Sequence, residues 1–133
     1  MECFVQAGGT MINLFLDDER VEPLGFLRVS AVKTLVDFLE LNDEEIDVLS
    51  LDHDLGRGPD GTEAVKWLVE LCLDEDRIKT IQFHTNNTVA RKNMYSYLKS
   101  AQKAGVFSLS TRISSEIIEY KNGKLIYTGK SFK

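Results

Sequence analysis

The sequence predicts an α/β fold, a mostly parallel sheet flanked by helices, with a β-hairpin at the carboxyl end. Three observations predict it. INLFL (Ile12–Leu16), IDVLSL (Ile46–Leu51) and IKTIQF (Ile78–Phe83) are apolar-rich runs of strand length. Between them, apolar residues recur at helical spacing, so strands alternate with helices and right-handed crossovers follow. Finally, Asn122-Gly123 joins two β-prone arms and calls for a type I′ turn.

Each element has its own signal. Ile12–Leu16 reads as a central strand, after which Pro23 and Gly25 punctuate a loop. FLRVS is a short strand, with Ser30 placed to cap a helix whose stripe is Val32, Leu35, Val36 and Leu39. NDEE closes that helix and leads into Ile46–Leu51. GRGPDG is a loop by composition, and Thr62 is the expected cap of a second helix carrying Val65, Leu68, Val69 and Cys72. After Ile78–Phe83 comes a third helix, capped by Asn87 and closed by Gly105, with Ala90, Met94, Tyr97, Leu98 and Ala101 on its apolar face. VFSLS is a further short strand. The pattern becomes regular from Met11, so residues 11–133 are expected to form one domain and residues 1–10 an N-terminal extension.

Composition narrows the function. The 133 residues carry a net charge of −5, which disfavours a nucleic-acid backbone as the main partner, and no DNA-binding motif is present. Cys3 and Cys72 show no ligand spacing, and Cys72 is expected to be a buried, reduced thiol. No apolar stretch approaches the roughly 18 residues of a membrane span. These features predict a cytoplasmic protein with no membrane association.

Three strands end in chemistry. Asp17 and Asp18 follow the first, Asp52, His53 and Asp54 the second, and His84 and Thr85 the third. In an open parallel sheet those ends share one rim, where ligands bind. Carboxylates crowded there repel one another unless a cation intervenes. A hard ion such as Mg²⁺, or Mn²⁺, suits the oxygen donors of Asp17, Asp18 and Asp52 and seeks phosphate oxygens as further ligands. His53 and His84, the only histidines, suit proton transfer at a phosphate ester. Thr85 offers a hydroxyl. Asn86, Asn87 and the amides opening the third helix suit an anion, and Arg20 and Arg91 are phosphate candidates. Taken singly, each residue has a plainer role: an acidic turn, a satisfied core imidazole, a cap, a surface ion pair.

The segments LFLDDER, LSLDHDLG, DGTEAVKWL and FHTNN resemble, in that order, receiver domains of response regulators. They are more similar to the divergent cyclic-phosphate processing receiver domains. The resemblance implies a flavodoxin-like fold from about Met11 to Gly105. It also implies a metal-binding pair in Asp17 and Asp18, a phosphoryl-accepting position at Asp52 and a switch hydroxyl at Thr85. DHDLG and the histidine before Thr85 fit the divergent family, which gives His53, Asp54 and His84 an implied active-site role. The segment before FLRVS is too short for a full first helix, and Arg112 is a poor stand-in for the lysine that receivers keep.

The resulting expectation is metal-dependent hydrolysis of cyclic phosphates on nucleotides or RNA ends, so the partner is a phosphate-containing small molecule or an RNA end. The alternatives are a signalling domain phosphorylated on Asp52, a non-catalytic cyclic-nucleotide sensor, and an adaptor whose hairpin pairs with a partner strand.

Overall fold

The computed structural model describes residues 11–56 and 58–133; the expectations for residues 1–10, Cys3 included, lie outside them. Five parallel strands form one sheet: β1 (Ile12–Leu16), β2 (Phe26–Val29), β3 (Ile46–Leu51), β4 (Ile78–Phe83) and β5 (Arg112–Ile113). Their order is β2-β1-β3-β4-β5. Three helices connect them: α1 (Val32–Leu41), α2 (Gly61–Glu70) and α3 (Thr88–Lys103). β6 (Glu116–Lys121) and β7 (Lys124–Ser131) form a separate antiparallel hairpin.

This order dictates the layering. From β2 onward, α1, α2 and α3 each carry the chain across the sheet in the same direction, so right-handed crossovers put all three on one face. Leu14, Leu16, Leu49, Leu51, Ile81 and Phe83 meet the helices there in one apolar core. The step from β1 to β2 runs the opposite way, and its connection contains no helix. The second face is covered instead by the hairpin, whose Tyr120 ring lies 5.9 Å from that of Phe15. Asn122 and Gly123 adopt φ of 51° and 77°, the left-handed pair that a type I′ turn needs.

Several local expectations are corrected. The N-cap of α1 is Ala31, with no side-chain bond, so Ser30 does not cap it. Asp60 caps α2 by accepting from the Thr62 and Glu63 N–H groups, because a carboxylate two residues earlier reaches both donors while Thr62 already lies within the helix. α2 stops at Glu70, which leaves Cys72 past the end at φ 50° and exposed rather than buried. In α3 the buried aromatic is Tyr95, which packs edge-on against Phe132 at 5.4 Å, while Tyr97 is turned outward. VFSLS is not a strand: Gln102 Nε2 donates to the Ser108 and Thr111 carbonyls and holds it as a loop, so pairing with β4 begins only at Arg112. Among the described residues, no helix is long and apolar enough to cross a membrane.

Candidate functional site

Register builds the site. Leu16, Leu51 and Phe83 are cross-strand partners at the ends of β1, β3 and β4. One residue later the ladder still holds: Asp52 N–H donates to the Leu16 carbonyl and His84 N–H to the Leu51 carbonyl, both at 3.0 Å. Asp17, Asp52 and His84 therefore come abreast. Asp17 and Asp52 flank the topological switch point between β1 and β3, where an open α/β sheet leaves its crevice.

Asp17 is 1% exposed, and its carboxylate is fully engaged. Oδ1 accepts from the Glu19 and Arg20 N–H groups at 2.9 Å each; Oδ2 accepts from His84 Nε2 at 3.0 Å and Arg20 Nη1 at 3.2 Å. Burial opposes its ionisation, but the bonds from His84 and the two backbone amides outweigh burial and hold its pKa well below the usual carboxylate range. Asp52 is pushed the other way. Burial raises its pKa and the neighbouring Asp17 charge adds to the rise, against a hydrogen bond from the His53 N–H. The environment thus drives two adjacent carboxylates apart in acidity, a pattern common at catalytic sites.

Arg20 bridges them. The same Nη1 lies 3.2 Å from Asp17 Oδ2 and 3.4 Å from Asp52 Oδ2. Its guanidinium rests 5.5 Å from the centre of the Tyr120 ring, and Tyr120 donates its hydroxyl to the Val21 carbonyl at 2.6 Å. The hairpin therefore shapes the loop that carries Arg20. Above these groups opens a polar cleft of about 370 Å³, lined by Asp17, Glu19, Arg20, Asp52, Asp54, Thr85 and Asn86.

The two histidines lie in different settings. His84 is fully buried and stacked on Phe15 at 4.3 Å, with Nε2 on Asp17 and Nδ1 2.8 Å from Ser50 Oγ. His84 is fully buried, unlike His53, and its imidazole holds the Asp17 carboxylate. His53 is partly exposed and lies between Asp54 Oδ1 (2.9 Å, from Nδ1) and Asp60 Oδ2 (3.3 Å, from Nε2). Thr85 Oγ1 accepts from the Asn87 N–H, and Asn87 caps α3 through the Ala90 N–H. Asn86 is exposed at the cleft. Arg91 lies behind the site, donating to the Thr85 carbonyl at 2.6 Å with its guanidinium 5.5 Å from the centre of the Phe132 ring.

Asp17, Asp52 and His84 can each bring one ligand atom within 4.8 Å of the others. Of these, the carboxylate oxygens suit a hard cation better than the imidazole nitrogen does. Asp18 stands outside that cluster, yet its Oδ1 is buried with no hydrogen-bond partner among the described residues. A buried carboxylate oxygen with no donor, on the residue that follows Asp17, fits a hard cation. Two glycines allow close packing around Asp18 and Asp52. A Cβ at Gly56 would stand 2.9 Å from Asp18 Oδ2, and one at Gly61 would collide with the Asp52 carbonyl and approach His53 Cα to 2.9 Å.

Sequence reasoning missed Ser50, Gln82, Asp60, Tyr120 and Tyr127. A signal existed for two of them: Ser50 and Gln82 precede Asp52 and His84 by two residues, so strand alternation puts them on the site's side of the sheet.

Comparison with curated proteins found no match, and comparison with solved structures found none. Residues 12–100, more than half of the chain, match the family model of the cyclic-phosphate processing receiver domain. That span covers the whole of β1 to β4 and every residue lining the acidic cleft, and the chain belongs to this family.

Proposed function

We propose that the acidic cleft hydrolyses cyclic phosphates on nucleotides or RNA ends, with Mg²⁺ or Mn²⁺ held by Asp17, Asp18 and Asp52. The observation that carries this reading is the convergence of Asp17 and Asp52 on a single positive charge, that of Arg20. When bound, the ion supplies Lewis-acid charge to the phosphate oxygens. Arg20, exchanging carboxylates for phosphate, adds a second positive group, and the Thr85 hydroxyl and Asn86 orient the anion at the start of α3. A water oxygen forms a bond to phosphorus while one ribose oxygen–phosphorus bond breaks. His53, backed by Asp54 and Asp60, takes the water proton and returns it to the departing oxygen. Asn87 and Arg91 hold the loop rather than the ligand.

The test is chromatography of 2′,3′-cyclic mononucleotides and cyclic-ended RNA after incubation with protein and Mg²⁺ or Mn²⁺. Ring-opened monophosphate is expected, and its formation should fail in Asp52→Asn and His53→Ala. Absence of product with the unaltered protein overturns hydrolysis. Ligand-dependent thermal stabilisation without product supports the sensor alternative, and a phosphoryl mass lost in Asp52→Asn supports the signalling alternative.

A further inference from the structure

We propose that Ser50, Gln82 and Tyr127 form a positioning relay that aims the His84 imidazole at Asp17 and so ties the acidic cleft to the carboxy-terminal hairpin. The chain of contacts is continuous. Tyr127 Oη lies 2.9 Å from Gln82 Nε2, Gln82 Nε2 lies 3.2 Å from Ser50 Oγ, Ser50 Oγ lies 2.8 Å from His84 Nδ1, and His84 Nε2 lies 3.0 Å from Asp17 Oδ2.

With no hydrogen on His84 Nδ1, donor and acceptor rules give the relay one direction. The Asp17 carboxylate only accepts, so His84 Nε2 carries a hydrogen toward it. Gln82 Nε2 has two hydrogens and two acceptors, the Ser50 and Tyr127 oxygens. Ser50 thus accepts from Gln82 and donates its own hydrogen to His84 Nδ1. Every link is satisfied, and only Tyr127 reaches solvent. Ser50, His84 and Asp17 have the composition of a nucleophilic triad, but not its function. Ser50 and His84 are fully buried, and the serine faces Nδ1 while the carboxylate faces Nε2. No substrate reaches that hydroxyl.

The fold alone does not call for these groups. Phe15, Ser50 and Gln82 are cross-strand partners on the face under the hairpin, where apolar side chains would pack without needing hydrogen bonds. The polar pair answers the need to fix the ring stacked on Phe15.

The test uses the full chain without metal, by NMR observation of the His84 Nε2–H and its exchange with water. Removing a link lowers the cost of local opening, so exchange should quicken about tenfold in Ser50→Ala and about threefold in Tyr127→Phe. Tyr127→Phe removes one hydroxyl from a half-exposed ring and leaves the fold intact. An unchanged exchange rate in Tyr127→Phe overturns the relay, whatever Ser50→Ala does. A calorimetric Mg²⁺ titration of the same variants should show affinity falling in the same order. Only this second arm rests on the proposed function: if the unaltered protein binds no Mg²⁺, that proposal fails, and the exchange rates still decide the relay.

Discussion

One nitrogen of Arg20 touches Asp17 Oδ2 and stands 3.4 Å from Asp52 Oδ2, so a guanidinium occupies the meeting point of two strands' carboxylates. An ion bound by both acids must displace it. Arg20→Ala should therefore bind Mg²⁺ about fivefold more tightly by calorimetry while binding a cyclic mononucleotide more weakly. The change is modest because the Arg20 side chain is about a quarter exposed and solvent screens its charge. Unchanged or weaker Mg²⁺ affinity would show that Arg20 does not compete for the acids.

The opposed acidities of the two aspartates give a signed stability prediction. Asp17 titrates below its ordinary value of 3.8, so it stabilises the fold above that pH and ceases to do so as acid protonates the folded form. Asp52 titrates above 3.8, so its ionised form burdens the fold at neutral pH and the burden lifts on mild acidification. In metal-free urea denaturation at pH 7, Asp52→Asn should stabilise by about 1 kcal/mol and Asp17→Asn destabilise by about 3 kcal/mol. The Asp52→Asn gain should shrink as the pH falls toward 4. Destabilisation by both substitutions would contradict the assigned directions.

Gly61→Ala separates helix propensity from site geometry. At an ordinary helical position alanine gains up to about 1 kcal/mol over glycine. Here its methyl group would meet the Asp52 carbonyl and stand 2.7 Å from Met94 Sδ. Overpacking of this kind costs about 1–3 kcal/mol, so thermal denaturation should show net destabilisation, accompanied by weaker Mg²⁺ binding. A stabilised variant with unchanged affinity would mean that the Gly61 backbone can retreat without disturbing Asp52.

Asp60 carries two duties that one substitution can part. Asp60→Asn keeps an N-cap oxygen for the Thr62 and Glu63 amides but removes the charge beside His53 Nε2. Stability should change by less than about 0.5 kcal/mol, since Asn and Asp cap almost equally well. Cyclic-phosphate turnover should fall about tenfold if His53 needs that carboxylate. Equal turnover would assign Asp60 to capping alone.

The central strands and their polar ends were legible because apolar runs stop at charged residues, and parallel pairing carries those stops to one edge. Asn122-Gly123 announced its hairpin for a similarly local reason. What that hairpin does was not legible: Tyr120 reaches the Arg20 loop and Tyr127 reaches Gln82 only through tertiary docking. The same limit applies to His84 and Arg91, whose residue types suggest chemistry while their burial and their contacts to Asp17 and the Thr85 carbonyl arise only in the folded chain. Cys72 failed for a different reason. The apolar stripe continued to it, but the helix ended two residues earlier.

The central claim is that Asp17 and Asp52 jointly hold one divalent cation for phosphate chemistry. Mn²⁺ titration followed by electron paramagnetic resonance tests it directly. The account predicts a single saturable site per chain, displaced by Mg²⁺ and abolished in both Asp17→Asn and Asp52→Asn. Absence of saturable binding, or binding that survives both substitutions, would contradict it.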